Sequence, residues 1–318
     1  MGKKLNFHMR LEKKKFEDFP SKTDLMDIIM HTSSTVWNNE LIKKNIDKWL
    51  NNFTGKVFNI EYEHLLALWL LSHFTFYNQN EVNHLCKVVY YNLNHLVLSK
   101  KYTLTSNPNE LINDFYTKTN IVASEKISGS GGFIAYFFRH SNSLPINLFN
   151  FSIDNIGDRV ENVVIIDDVT LTAGVNGQMY KFLHKYVNKY SSKKFYLITL
   201  IASESSINYL KSTFNIEVVT AIKLDARDKC FSAESDIFSP FPGLIHYGRE
   251  FATYYGSKIL YDDPLGYKDG QYTFGFFYNT PDNTLPIFWG HENGWFPIVK
   301  RYTKNYGVQK YLGNEQFI

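Results

Sequence analysis

The stretch VVIIDDVTLTAG, residues 163–174, decides how this sequence is interpreted. Its four β-branched apolar residues predict a buried strand. Two carboxylates, Asp167 and Asp168, follow at once, and a turn of small and hydroxyl residues then leads into a predicted helix at 175–190. In an open parallel sheet, ligands bind beyond the carboxyl ends of the strands, where helix N-termini favour anions. The pattern therefore predicts a ligand site at the end of this strand.

The chemistry of this stretch divides into two halves. Paired carboxylates suit the vicinal hydroxyls of a sugar, or a divalent cation with oxygen ligands. Backbone N–H groups of the turn, together with the hydroxyls of Thr170 and Thr172, suit one phosphate. A sugar that carries a phosphate would use both halves. In the structural alternative, one of the two acids merely caps the helix that follows.

Composition limits the class of protein. The chain has 318 residues with 26 Phe and 22 Tyr, so it has enough aromatic surface for a large core. A net charge of +3 neither requires nor excludes a nucleic-acid partner. Two cysteines, Cys86 and Cys230, are too few for a disulfide framework and fit a reducing compartment. The most apolar run, Leu65 to Phe76, is too short to span a bilayer. We therefore expect a cytoplasmic protein without a membrane segment.

Changes in composition and hydrophobic pattern along the sequence predict four regions. These are a basic arm at 1–20, a helical region at 21–110, an α/β domain at 111–225, and a loop-rich aromatic hood at 226–318 that packs on the α/β domain. Within the α/β domain, apolar strands alternate with helices, which is typical of a parallel sheet. The predicted strands are 120–124, 146–153, 162–167, 195–202 and 216–223, with helices at 132–140, 175–190 and 204–213 and one later strand at 271–278.

Other sites with an acidic strand end fit less well. A dehalogenase-type nucleophile motif needs a second Asp where Val169 stands. A receiver domain needs two further strand–helix units after Asp225, where this chain has loops instead. A dinucleotide fingerprint needs Gly at the position of Ile134. The sequence also contains neither a P-loop motif nor a G-x-S-x-G elbow.

The stretch VVIIDDVTLTAG resembles the ribose-phosphate loop of type I phosphoribosyltransferases. The resemblance implies a parallel α/β sheet of that kind, and a loop from Thr172 to Val175 that wraps the 5′-phosphate of phosphoribosyl pyrophosphate. It makes Asp167 and Asp168 the catalytic-site residues that hold the ribose hydroxyls. It also implies a Mg²⁺ ion that bridges pyrophosphate and ribose, held by these two acids through the ligand.

Upstream, SEKISGSGG (124–132) falls where that family has its pyrophosphate loop, although Gly and Ser mark any tight turn and a plain connector stays open. Arg139 either covers the surface of its helix or clamps pyrophosphate. The full set of predicted substrate-binding residues is Lys126, Ser128, Gly129, Ser130, Gly131, Thr170, Thr172, Ala173, Gly174, Val175 and Arg139.

Leu171 departs from the family pattern. The family commonly has a Thr or an acidic residue at this position, and an acidic residue there can serve as general base. A leucine cannot take that role, so phosphate binding fits the loop better than transfer chemistry does. The sequence favours an enzyme for glycosyl transfer or nucleotide hydrolysis, and the alternative is a non-catalytic sensor of a phosphoribosyl ligand.

A narrower resemblance covers more of the chain. SGGFIAYFFRHSN (130–142), NTPDNTLPIFW (279–289) and GWFPIVKR (294–301) are similar to segments of phosphoribosyltransferase-like proteins from bacterial conflict systems, some encoded beside reverse transcriptases in retrons. This implies an anti-phage effector, or a regulator of a reverse transcriptase–nucleic acid complex. The sequence leaves the oligomeric state open, with a homo-oligomer as one candidate. A third class is a purely structural protein that docks a partner through the apolar helices at 65–76 and 82–98.

Overall fold

The protein is divided into two compact units in a computed structural model. The first unit comprises Met1–Phe76 and Pro240–Ile318, and the second comprises Tyr77–Ser239. The structure describes residues 15–103, 105–124, 130–150, 152–154, 156–174 and 177–302.

The described residues form ten α-helices and seven strands. The helices are α1 (Lys22–Thr35), α2 (Lys43–Leu50), α3 (Ile60–Ser72), α4 (Gln79–Lys101), α5 (Pro108–Thr117), α6 (Ser130–Ser141), α7 (Gln178–Lys189), α8 (Glu204–Phe214), α9 (Ile245–Ser257) and α10 (Pro286–Trp289). The strands are β1 (Thr75–Tyr77), β2 (Thr119–Ala123), β3 (Phe149–Asn150), β4 (Asn162–Thr170), β5 (Lys194–Ser203), β6 (Glu217–Leu224) and β7 (Phe274–Phe276). No helix in the described part of the chain combines the length and the apolar character needed to cross a bilayer.

The second unit is built on a five-stranded sheet in the order β3-β2-β4-β5-β6. Every pairing in it is parallel. The predicted α/β class with a parallel sheet is therefore confirmed. The predicted strand at 146–153 is wrong for most of its length: Ile146–Leu148 forms a 3₁₀ turn after Pro145, and only Phe149 and Asn150 pair with β2. Pro145 itself is extended and precedes the turn as its N-cap, so the chain does not pair with the sheet before Phe149.

Helices cover both faces of the sheet, which explains why its central strands are apolar almost throughout. On one face, Val163, Ile165 and Leu197 pack with Leu183 of α7 and Leu210 of α8. The opposite face contacts α4, α5 and α6. There the ring of Phe115 in α5 meets that of Tyr196, whose side chain alternates with Phe195 and Leu197 along β5.

The first unit joins the N-terminal helices to the C-terminal segment. The Trp49 Nε1–H donates to the carbonyl of Ile287 at 2.7 Å, and β1 pairs with β7 through the Thr75 N–H and the Thr273 carbonyl at 2.8 Å. The division by compactness thus falls inside the predicted helical region at 21–110, because α4 and α5 belong to the second unit. It also gives residues 226–239 to the second unit. The predicted apolar helix ends at Ser72, and Thr75–Tyr77 is a strand.

A buried carboxylate, that of Glu63 in α3, organises the first unit. Its oxygens accept the N–H groups of Gly55 at 2.6 Å, Val57 at 2.7 Å and Phe58 at 3.1 Å. The Tyr255 hydroxyl of α9 donates to the same carboxylate at 2.6 Å. Glu63 is fully buried, so these protein donors replace water around the acid.

Candidate functional site

The acidic pair lies where β4 extends past its neighbour β2. The register of the two strands ends with Ala123 opposite Ile166, whereas Asp167 is still paired with Thr199 of β5. The strand continues to Thr170, three residues beyond its predicted end. The chain leaves β2 towards β3 on one side and β4 lies on the other, so this is a topological switch point. In doubly wound sheets, ligands bind in the crevice at such a point.

The two carboxylates differ in environment. Asp168 is 8 % exposed, and its Oδ1 accepts the Ser130 hydroxyl at 3.0 Å and the N–H of Val169 at 2.8 Å. The Asp168 carbonyl accepts the Thr199 hydroxyl at 2.9 Å, which ties this residue to β5. Asp167 is half-buried, and its Oδ1 accepts the N–H of Asp168 at 3.0 Å. The backbone of the pair is thus held by the sheet, while Asp167 retains exposed surface.

Gly131 allows α6 to begin directly against the sheet. A Cβ at this position would lie 2.8 Å from the Ser124 Oγ and 3.1 Å from the Ile166 carbonyl oxygen. The Ser124 N–H already donates to that carbonyl at 3.0 Å. Only a glycine permits such close packing without displacement of the helix. The positive end of the α6 dipole is thereby brought to the acidic pair, with Ser130 as the contact.

The loop after β4 is tied to the next strand rather than left open. Leu171 is buried, and its carbonyl accepts the Ser203 hydroxyl at 2.9 Å. The Ala173 N–H donates to the Ser206 Oγ at 2.9 Å. Helix α7 begins at Gln178, later than predicted, after a turn in which the Gly177 N–H donates to the Gly174 carbonyl at 2.8 Å.

Two hydroxyls near the strand ends are buried and have no hydrogen-bond partner among the described residues. They are the Thr170 Oγ1 at the end of β4 and the Ser124 Oγ just after β2. Thr170 is one of the predicted site residues. Ser124 is not, although it opens the glycine-rich segment and is the residue that Gly131 contacts. Buried polar atoms without partners carry a desolvation cost, so they mark a place where a ligand atom would be stabilised.

The predicted residues fall into four groups. Thr170, Thr172, Ala173 and Gly174 follow the acidic pair directly, at the end of β4 and in the loop after it. The structure brings together Asp167, Asp168, Ser130 and Gly131 across the switch point. Lys126, Ser128, Gly129 and Val175 lie outside the described residues. Arg139 is not brought to the acids: it lies in the last turn of the 12-residue α6, about 14 Å of helix rise from Ser130, and its Nη2 contacts the His140 Nε2 at 2.7 Å.

Metal binding here would depend on a ligand. Within the described ranges, no three His, Cys, Asp or Glu side chains are grouped to hold an ion. Mg²⁺ is commonly bound by one or two carboxylates together with substrate phosphates and water. The donor set of Asp167 and Asp168 fits this mode.

A second concave region offers less to a phosphate. A groove of about 400 Å³ runs beside β6, between α4 and α8. Its charges are paired with each other, as in Lys223 with Glu204 at 3.0 Å and Lys211 with Glu217 at 3.8 Å. Such self-compensated pairs leave little net field for an anion.

One family model matches most of this chain. The model of the PRTase-CE family matches residues 46–301, which include the sheet as well as helices of the first unit and the C-terminal segment. A search of curated proteins found no match.

Two solved structures are similar to parts of the chain. Orotate phosphoribosyltransferase from Aeropyrum pernix is 11% identical with a TM-score of 0.30, over 46% of this chain and 72% of that one. The Helicobacter pylori xanthine-guanine-hypoxanthine phosphoribosyltransferase is 14% identical with a TM-score of 0.31, over 48% and 88%. The strand order and the parallel pairing of the sheet establish the fold without them.

Proposed function

This chain belongs to the PRTase-CE family, and we propose that it binds a ribose phosphate, in the form of phosphoribosyl pyrophosphate or a related nucleotide, at the switch point of its sheet. The observation that carries the proposal is the hydrogen bond from the Ser130 hydroxyl to the Asp168 Oδ1 at 3.0 Å. It joins the start of α6 to the acidic pair at the edge of the sheet where ligands of doubly wound folds bind.

Each part of the site has a role in this proposal. The carboxylates of Asp167 and Asp168 accept hydrogen bonds from the vicinal hydroxyls of the ribose. The loop at 171–174 receives the 5′-phosphate, and the N-terminus of α6 faces the pyrophosphate. A helix N-terminus favours an anion through its exposed N–H groups and its dipole. Acids and N–H donors meet at one edge, and a sugar with anionic groups at both ends has the matching polarity.

Magnesium belongs to the same proposal. Asp167 and Asp168 would hold Mg²⁺ through the bound ligand, and the ion would neutralise charge on the pyrophosphate as it leaves. The contribution of the chain itself is to keep the acids in place: the Thr199 hydroxyl fixes the backbone of Asp168, and Ser130 fixes its carboxylate. Such preorganised groups contribute to catalysis because they need not reorient during the reaction.

A non-catalytic sensor is the second candidate, and Leu171 favours it. Its side chain is buried and its carbonyl is bound by Ser203, so this position supplies no acid or base to a substrate. A protein that reads a phosphoribosyl ligand needs the same cradle but no proton transfer. In this version, ligand binding changes the interaction with a partner nucleoprotein complex.

The biological role is part of the proposal too. The segments 130–142, 279–289 and 294–301, which resemble conflict-system proteins, all lie within the family match. We infer a cytoplasmic anti-phage effector that acts as a homo-oligomer with a reverse transcriptase–nucleic acid complex. Plating efficiency of phage on cells that express the wild type or the double variant Asp167→Asn/Asp168→Asn tests this role. Equal protection by both proteins, or none by either, would argue against a ligand-dependent effector.

Calorimetric titration with phosphoribosyl pyrophosphate, with and without Mg²⁺, tests the site. We expect the double variant to bind at least about 100-fold more weakly, since two charge-assisted contacts are lost. Asp158→Asn is the matched control, because it makes the same charge change at an exposed position before β4. Retained affinity in the double variant would show that the site is elsewhere. Release of pyrophosphate from the bound ligand then separates the enzyme from the sensor.

A further inference from the structure

Two buried serines link the loop after β4 to the neighbouring strand–helix junction. Strand β5 passes directly into α8, and Ser203 is both the last residue of the strand and the N-cap of the helix. Its Oγ accepts the Ser206 N–H at 3.1 Å. Ser203 and Ser206 are 3 % and 2 % exposed, so water does not reach either hydroxyl readily.

The serine hydroxyls engage the loop on both sides of Thr172. The Ser203 hydroxyl lies 2.9 Å from the Leu171 carbonyl, and the Ser206 Oγ accepts the Ala173 N–H at 2.9 Å. The two hydroxyl oxygens are 2.8 Å apart. Ser203 has a single hydroxyl proton, and both the Leu171 carbonyl and the Ser206 Oγ lie within reach of it as acceptors. The Ser205 Oγ also lies 3.2 Å from the Ser203 Oγ.

We propose that Ser203 and Ser206 form a latch that positions the loop at 171–174 for a phosphate, an inference that rests on the proposed function. This loop lies outside the assigned strands and helices. An anion cradle built from backbone N–H groups works only when those groups are held in one arrangement. The latch supplies that restraint from the sheet side. Both serines are positioning residues, because their hydroxyls are engaged with the loop backbone.

The latch also changes the role expected of Ala173. Its N–H is directed to Ser206 and is therefore engaged within the protein. A phosphate at this loop would be bound by donors other than the Ala173 N–H. Ala173 would instead attach the loop to Ser206. The contacts of the two serines with the loop are made to its backbone, at the Leu171 carbonyl and the Ala173 N–H. We therefore expect the latch to govern the 5′-phosphate and not the pyrophosphate.

Calorimetry with two probes tests this assignment. Binding of ribose 5-phosphate reports on the loop at 171–174, and binding of Mg²⁺-pyrophosphate reports on the acidic pair and the N-terminus of α6. We expect Ser206→Ala to weaken the binding of ribose 5-phosphate about tenfold, equivalent to about 1.4 kcal/mol. The affinity for Mg²⁺-pyrophosphate should stay unchanged. Ser206→Thr retains the hydroxyl and should restore most of the affinity. Ser212→Ala is the matched control, because its hydroxyl bonds only within α8, to the Tyr209 carbonyl.

Ser206→Cys provides a second variant if the alanine form does not fold, since it nearly keeps the side-chain volume with a poor acceptor. Equal or tighter binding of ribose 5-phosphate by Ser206→Ala would overturn the latch. Equal weakening of both probes would also overturn it, because the serine would then act through the whole fold. If the wild type binds neither probe, the proposed function itself fails, which is a different result from the first two.

Discussion

The two units of this protein each bury an acid, and the two acids are used differently. Glu63 of the first unit accepts three backbone N–H groups and one tyrosine hydroxyl. Three of these four donors come from residues within eight positions along the chain. Asp168 of the second unit lies at a strand end, and its carboxylate accepts a serine hydroxyl from a segment 38 residues away. Both acids are nearly or fully buried.

The comparison separates a carboxylate with a structural role from one that we propose binds a ligand. Glu63 closes a loop on its own helix, and its partners come from elements of the same compact unit. Asp168 stands beside Asp167, and two adjacent acids next to a helix N-terminus repel each other unless something with positive or donor character joins them. We therefore expect variants of Glu63 to act on stability and variants of the acidic pair to act on ligand binding.

The largest expected effect is that of Glu63→Ala. Removal of the carboxylate leaves the N–H groups of residues 55, 57 and 58 without their acceptor, and we expect the free energy of unfolding of the first unit to fall by at least about 3 kcal/mol. All five tryptophans, Trp37, Trp49, Trp69, Trp289 and Trp295, belong to this unit, so fluorescence during guanidinium unfolding reports it. Glu61→Ala, exposed on the same helix, is the control. A loss below about 1 kcal/mol would remove the contrast between the two acids.

Gly131→Ala should have the next largest effect, on the second unit. The added methyl group would meet the Ser124 Oγ at 2.8 Å and the Ile166 carbonyl at 3.1 Å, so α6 must shift. We expect a stability loss of about 1–3 kcal/mol and about tenfold weaker binding of phosphoribosyl pyrophosphate, because Ser130 leaves Asp168. Gly157→Ala is the control, since a Cβ there has no atom within 4 Å. Unfolding followed by circular dichroism measures the stability, and calorimetric titration measures the binding. Equal stability and affinity of the two variants would contradict the close packing at Gly131.

The smallest effect concerns pH and the first unit. Burial lowers the pKa of His73, whose Nδ1–H donates to the Trp69 carbonyl at 2.9 Å. Below about pH 6.5 the unfolded chain binds a proton that the folded chain resists, so stability falls as the pH falls and is unaffected above. One proton limits the slope to about 1.4 kcal/mol per pH unit. Unfolding followed by fluorescence between pH 7.5 and 5.5 should give a flatter profile for His73→Asn, and an unchanged profile would assign the dependence elsewhere.

The sequence predicts the acidic pair and the parallel sheet because both depend on local patterns. Apolar runs such as NVVIID and FYLITLIA are typical of strands buried on both faces, and the observed β4 and β5 contain them. The same reasoning missed Ser203 and Ser206. Their only local signal is a serine that can cap a helix at the end of an apolar run, and their contact with residues 171 and 173 needs the pairing of β4 with β5.

Glu63 is missed for a related reason. An acidic residue in the first turn of a helix is usually a solvated partner of the helix dipole. Here the loop before the helix folds back over it, and Tyr255 arrives from 192 positions further along the chain. The predicted boundaries at 110 and 225 reflect changes in composition and hydrophobic pattern along the sequence. The compact units, in contrast, are set by which helices and strands pack their apolar faces together.

Periodicity, charge and turn chemistry are properties of neighbouring residues, and they suffice to predict the class of the sheet, the position of the acids at a strand end and the small-residue turn that follows. Three further features come from tertiary contacts: α6 starts against Asp168, two serines of the next junction hold the loop after β4, and the N-terminal helices share a core with the C-terminal segment. These features depend on contacts between distant parts of the chain. No local pattern encodes such contacts, because each is selected by the packing of the whole core.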